Sequence, residues 1–209
     1  MSPGPTMTST TRSPAVAQAR IKGAGIQPFL RWYVSAHGHE RLRRLAEPIP
    51  PALREDLDLA DATLGVLPST WYSAAVVHAL LDAMEADHTP QERDMIVREG
   101  ARAIIESTLT GVYRWLFQTM MSLDRYAGSA QKLFSRYYEP GVMTKTPLGE
   151  TGHLTVVEGW GAHHMMMCDF ILHTAVYVYG VLGCKDFRVR RTSCVGQGGV
   201  DCRFEMTWS

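Results

Sequence analysis

The longest apolar run of the chain, MMMCDFILHTAVYVYGVL from Met165 to Leu182, is 18 residues long and is interrupted by Asp169 and His173. That length approaches a bilayer span, but an acid and a histidine in hydrocarbon would cost several kcal/mol. A helix apolar on nearly every face must then be surrounded by protein. The run is expected to form a buried helix from about His163 to Leu182, stopped by Gly183, with no membrane span.

A chain of 209 residues can supply the coat for such a helix, because a domain of this size removes roughly 70% of its extended-chain surface from water. Apolar residues make up 45% of it and charged residues 20%, which is a globular composition needing no metal or disulfide to fold. Basic and acidic residues balance at 21 each, so there is no general attraction for nucleic acid or an acidic membrane. The Ser-, Thr- and Pro-rich start, residues 1–19, reads as a disordered tail without a targeting h-region, leaving residues 20–209 as a single ligand-binding-like domain. A cytoplasmic location with reduced cysteines is expected.

Up to Tyr138 the punctuation is helical. Ile26 to Ala36 is followed by a short basic turn at Arg41 to Leu45, and prolines 48, 50 and 51 precede a short helix from Ala52 to Leu57. WYSAAVVHALLDAMEA carries Val76, Val77, Leu80, Leu81 and Met84 on one stripe. TPQE at 89–92 is a capping box with proline at the first helical position, opening a helix predicted to run to about Met120 with a kink near Gly111. Along it Gly100, Ala103, Ser107 and Gly111 leave a shallow groove for another backbone. After the amphipathic YAGSAQKLFSRYY the period changes to two. Val142 to Thr146 and Leu154 to Glu158 read as a hairpin, and Phe187 to Val195 with Asp201 to Trp208 as a second one beyond the apolar helix. The fold class is α+β: a helical N-terminal half, then a small antiparallel sheet packed on the long buried helix.

In the last hairpin a three-residue loop at Gln197 to Gly199 sets Cys194 opposite Cys202 and Arg191 opposite Glu205, while a bulge would shift the register farther from the turn. Cys202, Phe204, Met206 and Trp208 share the inward face. Opposed cysteines lie about 4.5–5.5 Å apart at Cβ, slightly long for a relaxed disulfide. A zinc site would draw on Cys194 and Cys202 with Cys168 and His164, or on Cys184, yet no close C-x-x-C spacing is present. Packing or pocket lining, a metal and a disulfide all stay open for this pair.

The pattern C-x7-C-R-F followed by Trp208, after strand, long apolar helix and strand, resembles the 4-vinyl-reductase-type small-molecule-binding domain. IKG at 21–23, LPSTWY at 67–72, REGARAIIES at 98–107 and SLDRYAGSAQKLFSRYYEPG at 122–141 resemble, in that order, a Myxococcus paralogous family with no assigned reaction. The resemblance implies a fold shared with TRAPP subunits and haem nitric-oxide-binding (H-NOX) domains, which hold an apolar ligand between helices and a C-terminal sheet. It also implies cysteines as metal ligands in some relatives. The Tyr-x-Ser-x-Arg clamp of H-NOX domains is missing, since FSRYY at 134–138 has the residue types in the wrong order, so haem is not expected.

Asp169 and His173, four residues apart, read either as a self-satisfied core pair or as an oriented base. His163 and His164 stand at a helix start that could receive an anion or simply be solvated. Met165, Met166 and Met167 offer a soft surface suited to core packing or to an irregular ligand. Trp71 and Tyr72 are expected to anchor the helix that follows them. G-x-S-x-G, P-loop and G-x-G-x-x-G motifs are absent, and no carboxylates are paired for acid–base work. The expected function is a non-catalytic sensor or adaptor binding an apolar or lipid-like small molecule, its wall formed by Trp115, Met166, Phe170, Tyr177, Phe204 and Met206. Two alternatives are a ligand-free homodimeric interaction module built on the small-residue stripe, and an enzyme accessory domain with zinc at Cys194 and Cys202.

Overall fold

A computed structural model of the chain describes residues 18–209; the expected tail therefore lies outside the described residues up to position 17. The folded region already includes Ala19, which is fully buried and accepts a bond from the Ala74 amide.

Strand β1 (Arg20–Lys22) leads directly into α1 (Gly23–His37) and α2 (His39–Ala46), and a single 3-10 turn at Pro51–Leu53 stands where a short helix was expected. β2 (Trp71–Ser73) precedes α3 (Ala74–Asp87), whose first turn is capped by Ser73. The capping box at Thr89 and Glu92 forms as the sequence predicts and starts α4 (Pro90–Thr108). The kinked helix to Met120 is instead two helices. α4 stops at Thr108, and α5 (Gly111–Met120) starts on Gly111 at φ 48°, a left-handed backbone that glycine adopts without a Cβ clash. Short helices α6 (Leu123–Gly128) and α7 (Ala130–Phe134) reach β3 (Tyr138–Glu139). The order then continues β4 (Val142–Pro147), β5 (Gly152–Glu158), α8 (Met165–Val181), β6 (Arg188–Ser193) and β7 (Cys202–Thr207).

The larger sheet is antiparallel in the order β4-β5-β7-β6, so the two predicted hairpins join through β5 and β7. A second, three-stranded sheet, β2-β1-β3, was not expected; its strands are too short to show a period. In the last hairpin a register shift lies between Arg191 and Ser193. Arg190, not Arg191, therefore faces Glu205, and their side chains bond at 2.6 Å on the exposed face. Cys202, Phe204 and Met206 point inward and are buried.

α8 is the interior rod. His164 caps it, nine of its residues are buried and Gly183 ends it with φ 91°. Its Asp169 is held by Arg191 of β6 instead of by His173, which removes the cost of an unpaired acid beside the core. Gly100 of α4 lets the rings of Phe29 and Phe170 close in, since a methyl there would meet them at 2.7 and 2.9 Å. That part of the small-residue stripe is thus occupied by side chains of the same chain. Among the described residues no helix is long and apolar enough to cross a membrane.

Candidate ligand cavity and thiol cluster

Two regions along α8 hold chemistry that packing alone does not use. The first is a cavity of about 200 Å³. Ile104, Ile105, Thr108 and Leu109 of α4 form one wall and Ile171, Thr174, Ala175 and Val178 of α8 another. Phe117, Tyr126, Leu133, Phe134, Tyr137 and Tyr138 close it from the segment after α4, and Met143, Lys145, Thr155 and Phe204 form its floor on the sheet. The surfaces are almost wholly apolar because each helix turns its hydrophobic stripe inward and each strand its alternate residues.

Two floor atoms break that pattern. Lys145 Nζ and Thr155 Oγ1 are buried and have no hydrogen-bond partner, and the register places the two residues directly opposite one another on β4 and β5. The ammonium lies 5.1 Å from the Tyr126 ring centre and 5.0 Å from that of Tyr179, a double cation–π contact. Burial lowers the Lys145 pKa to about 8 and pushes Tyr126 up to about 12. Next to this pair, His153 and the Tyr179 hydroxyl are hydrogen-bonded at 2.6 Å. Burial, then the Lys145 charge, holds His153 below the ordinary histidine range.

The second region is a thiol cluster at the start of α8. Cys202 Sγ is its hub: Cys168 Sγ is 3.4 Å away, His163 Nδ1 3.3 Å and Cys194 Sγ 3.9 Å, and the Val195 amide donates to it at 3.5 Å. The donor atoms of His163, Cys168 and Cys202 all lie within 4.8 Å of one another. Bonds from Cys168, His163 and Val195 hold the Cys202 thiol well below its ordinary range, whereas the same contact with Cys202, together with burial, pushes Cys168 up. Burial also raises Cys194. Zinc bonds of about 2.3 Å to sulfur and 2.0–2.1 Å to nitrogen set tetrahedral ligands roughly 3.5–3.8 Å apart, so this donor set suits a soft divalent ion with little rearrangement.

The residues singled out in the sequence are distributed over both regions and beyond them. Phe204 lines the cavity floor. Met166 and Met206 are buried in the surrounding core, and Phe170 meets Phe29 edge-on at 4.9 Å. Tyr177 donates to Glu106 of α4 at 2.8 Å, and Trp115 is 60% exposed on α5. Cys168, Cys194 and Cys202 come together as a set of free thiols. His164 does not join them. Its Nδ1 caps α8 by accepting from the Met166 amide and its Nε2 meets Asp82 at 3.0 Å, while the preceding residue, His163, faces the sulfurs. Cys184 lies apart, half-buried beyond the end of α8. Trp71 stacks under Lys22, and Tyr72 is buried with its hydroxyl accepting from the Leu67 amide. Lys145 and Thr155 escaped the sequence reading, although their alternation with exposed Thr144 and Thr146 carries a signal.

No known protein-family profile matches the chain, and no curated protein matches it. Solved structures do. An H-NOX protein from S. oneidensis in the Fe(II) ligation state superposes with a TM-score of 0.63 at 11% identity, over 90% of this chain and 96% of that one. The Fe(II) unliganded H-NOX protein from K. algicida gives 0.61 at 13% identity, over 90% and 97%, and a T. tengcongensis H-NOX variant gives 0.61 at 10%, over 90% and 98%. The fold is H-NOX-like.

At these identities the likeness speaks for the fold, and it corrects one expectation. The expectation that haem is not bound rests on the missing Tyr-x-Ser-x-Arg clamp. Structures sharing this fold are described in Fe(II) and Fe(II)NO states and, in two cases, in terms of haem or porphyrin distortion, which points to haem and against that expectation. Among the residues that line this chain's cavity, the Tyr126, Tyr137 and Tyr138 phenols and the Met143 thioether are of types able to hold haem iron. Lys145 lines the same cavity.

Proposed function

We propose that this H-NOX-like protein is a sensor or adaptor domain, without chemistry of its own, that binds a small apolar molecule in the cavity between α4, α8 and the sheet. The observation that carries the reading is the cavity itself, about 200 Å³ of apolar space, beside core voids of about 50 Å³, 20 Å³ and 10 Å³. Native interiors close such voids unless something occupies them, because empty space forfeits dispersion contacts. The same position lies between helices and sheet, where the resemblance to 4-vinyl-reductase-type and TRAPP-like domains also puts a ligand. Native mass spectrometry of the purified protein, followed by solvent extraction, tests the proposal. A retained organic mass that leaves on extraction supports it; an unliganded protein that takes up no apolar probe refutes it.

Haem in this cavity is the second ligand reading, favoured by the fold comparison. When bound, haem would supply an iron centre for a diatomic gas; Tyr126, Tyr137, Tyr138 or Met143 would hold the iron and Lys145 would meet a carboxylate. Titration with hemin, followed by absorbance and by mass, tests it; a saturable one-to-one Soret band is the expected sign.

The thiol cluster supports a metal-bound structural site as a companion reading. His163, Cys168, Cys194 and Cys202 are its proposed ligands, which replaces His164 by its neighbour. Metal analysis of the purified protein, with and without a chelator, tests it.

A further inference from the structure

We propose that the molecule taken by the cavity carries a carboxylate, seated on Lys145 Nζ and Thr155 Oγ1, with an apolar body of about one ring or a short alkyl chain. The inference rests on reading the cavity as a binding site and adds the chemical class of the ligand.

Lys145 and Thr155 are a directly opposed cross-strand pair whose side chains reach the same floor, and both of their polar atoms are buried without a partner. An orphan hydroxyl in an apolar wall costs free energy, and an orphan ammonium costs more. The ammonium lies over the Tyr126 and Tyr179 rings, which meet each other edge-on at 5.5 Å, and it joins no ion pair among the described residues, so the fold supplies aromatic faces and no counter-charge. One cation and one hydroxyl donor side by side match the two oxygens of a single carboxylate. A phosphate would bring up to two charges and three oxygens to the same two donors and leave some unsatisfied. The rest of the wall, including Ile104, Leu109, Phe134 and Val178, can offer only apolar contact.

Size narrows the class further. An engineered cavity of about 150 Å³ holds benzene. The 200 Å³ found here admits a ring with a short acidic arm, or a chain of about eight carbons. A haem propionate is the other source of the same head-group chemistry, and it requires the walls to part around a larger body.

The test uses the full chain, titrated by calorimetry with cinnamate and octanoate, with their neutral amides, and with indole as an apolar probe lacking a carboxylate. The acids should bind about 10- to 100-fold more tightly than the amides, as a charge-assisted hydrogen bond implies. Lys145→Met should abolish that preference while indole is still taken up. Thr155→Val should reduce the preference several-fold, and supplies a second variant in which the ammonium is kept. Hemin in the same series locates the carboxylate: a Soret complex lost in Lys145→Met, with no small acid bound, keeps the head-group assignment and moves the source to a propionate. Acid and amide binding equally would overturn the inference while the cavity reading stands, whereas failure of indole, acids and hemin alike overturns the cavity reading itself. Trapping of cinnamaldehyde on Lys145 by borohydride, with no binding of cinnamate, would make the lysine an imine-forming nucleophile and overturn the carboxylate.

Discussion

The cavity and the thiol cluster sit on one helix and are built on opposite principles. In the cluster the donor atoms have neighbours of the same chain: Cys202 receives contacts from Cys168, His163, Cys194 and the Val195 amide, and around the void of about 10 Å³ beside it the Trp160 indole nitrogen alone lacks a hydrogen-bond partner. In the cavity the apolar groups surround some 200 Å³, and the two polar atoms of the floor are left without partners. One region has satisfied itself, or waits only for an ion to sit among its donors. The other defers its satisfaction to something that enters. Ile171 of α8 and Phe204 of β7 line both regions, so the difference is maintained across a wall formed by these two side chains.

Removing that wall should have the largest effect. Phe204→Ala deletes a buried ring between the regions and is expected to cost about 3–5 kcal/mol in urea unfolding. It should also change the alkylation rate of the cluster thiols and the affinity for an apolar probe together. If only one of the two readouts moves, Phe204 is not a shared wall.

Lys145 sharpens the contrast from the cavity side. Its folded pKa of about 8 lies below the ordinary lysine value of 10.5, so between those values the unfolded chain holds a proton the folded one has lost. Stability should therefore rise with pH from 8 to 10.5, with the penalty of burying the charge fully present below 8. His153, Tyr126 and Tyr179 are the groups facing the ammonium, and only His153 titrates below that window. Lys145→Met should thus stabilise the unliganded protein by about 2–3 kcal/mol at pH 7 and flatten the slope between pH 8 and 10.5. An unchanged slope would show that the ammonium is already paired.

How far these regions were legible beforehand depended on the length over which a pattern ran. α8 declares itself through 17 residues and its terminal glycine, the capping box at Thr89 through a fixed spacing, and the inward face of β7 through strict alternation. The β2-β1-β3 sheet has strands of two and three residues, too short for any period, and only its tertiary pairing reveals it. Trp115 was misplaced into the interior because α5 was read as a continuation of α4; once Gly111 turns the chain, its ring faces solvent. The exchange of His164 for His163 has the same origin at single-residue scale. A helix start is uncertain by a residue or two in sequence, and one step there decides which imidazole caps and which faces the sulfurs. Lys145 was readable in principle, sharing its strand face with Met143, but a lysine between threonines on an edge strand ordinarily signals a protected edge.

The two histidines test the cluster at intermediate magnitude. His164→Ala removes the cap of α8 and should cost about 1 kcal/mol while leaving zinc affinity within twofold. His163→Ala should do the reverse, weakening zinc binding at least tenfold, as followed by competition with a chromophoric chelator. Equal effects of both on zinc would return His164 to the ligand set and dissolve the distinction between cap and donor.

The smallest effect belongs to the face of the sheet that touches neither region. Arg190 bonds Glu205 at 2.6 Å on the outer side, with the arginine side chain 74% exposed. Its neighbour Arg191 turns the other way and holds Asp169 of α8. The bulge between Arg191 and Ser193 produces that division, and without it the two arginines would exchange partners. Arg190→Ala should therefore cost no more than about 0.5 kcal/mol, and that cost should fade in 1 M salt, because an exposed pair is worth little and is screened. Arg191→Ala exposes the contrast: it strands a carboxylate on the apolar helix one residue from Cys168, and should cost about 1 kcal/mol with a weaker response to salt. Interchanged results for the two arginines would mean that the hairpin keeps the unbulged register, in which Arg191 faces Glu205. Phe204 would keep its place in the wall between cavity and cluster, because β7 is also held in register by β5; a one-residue slip would instead carry the side chains of β6 to the opposite face.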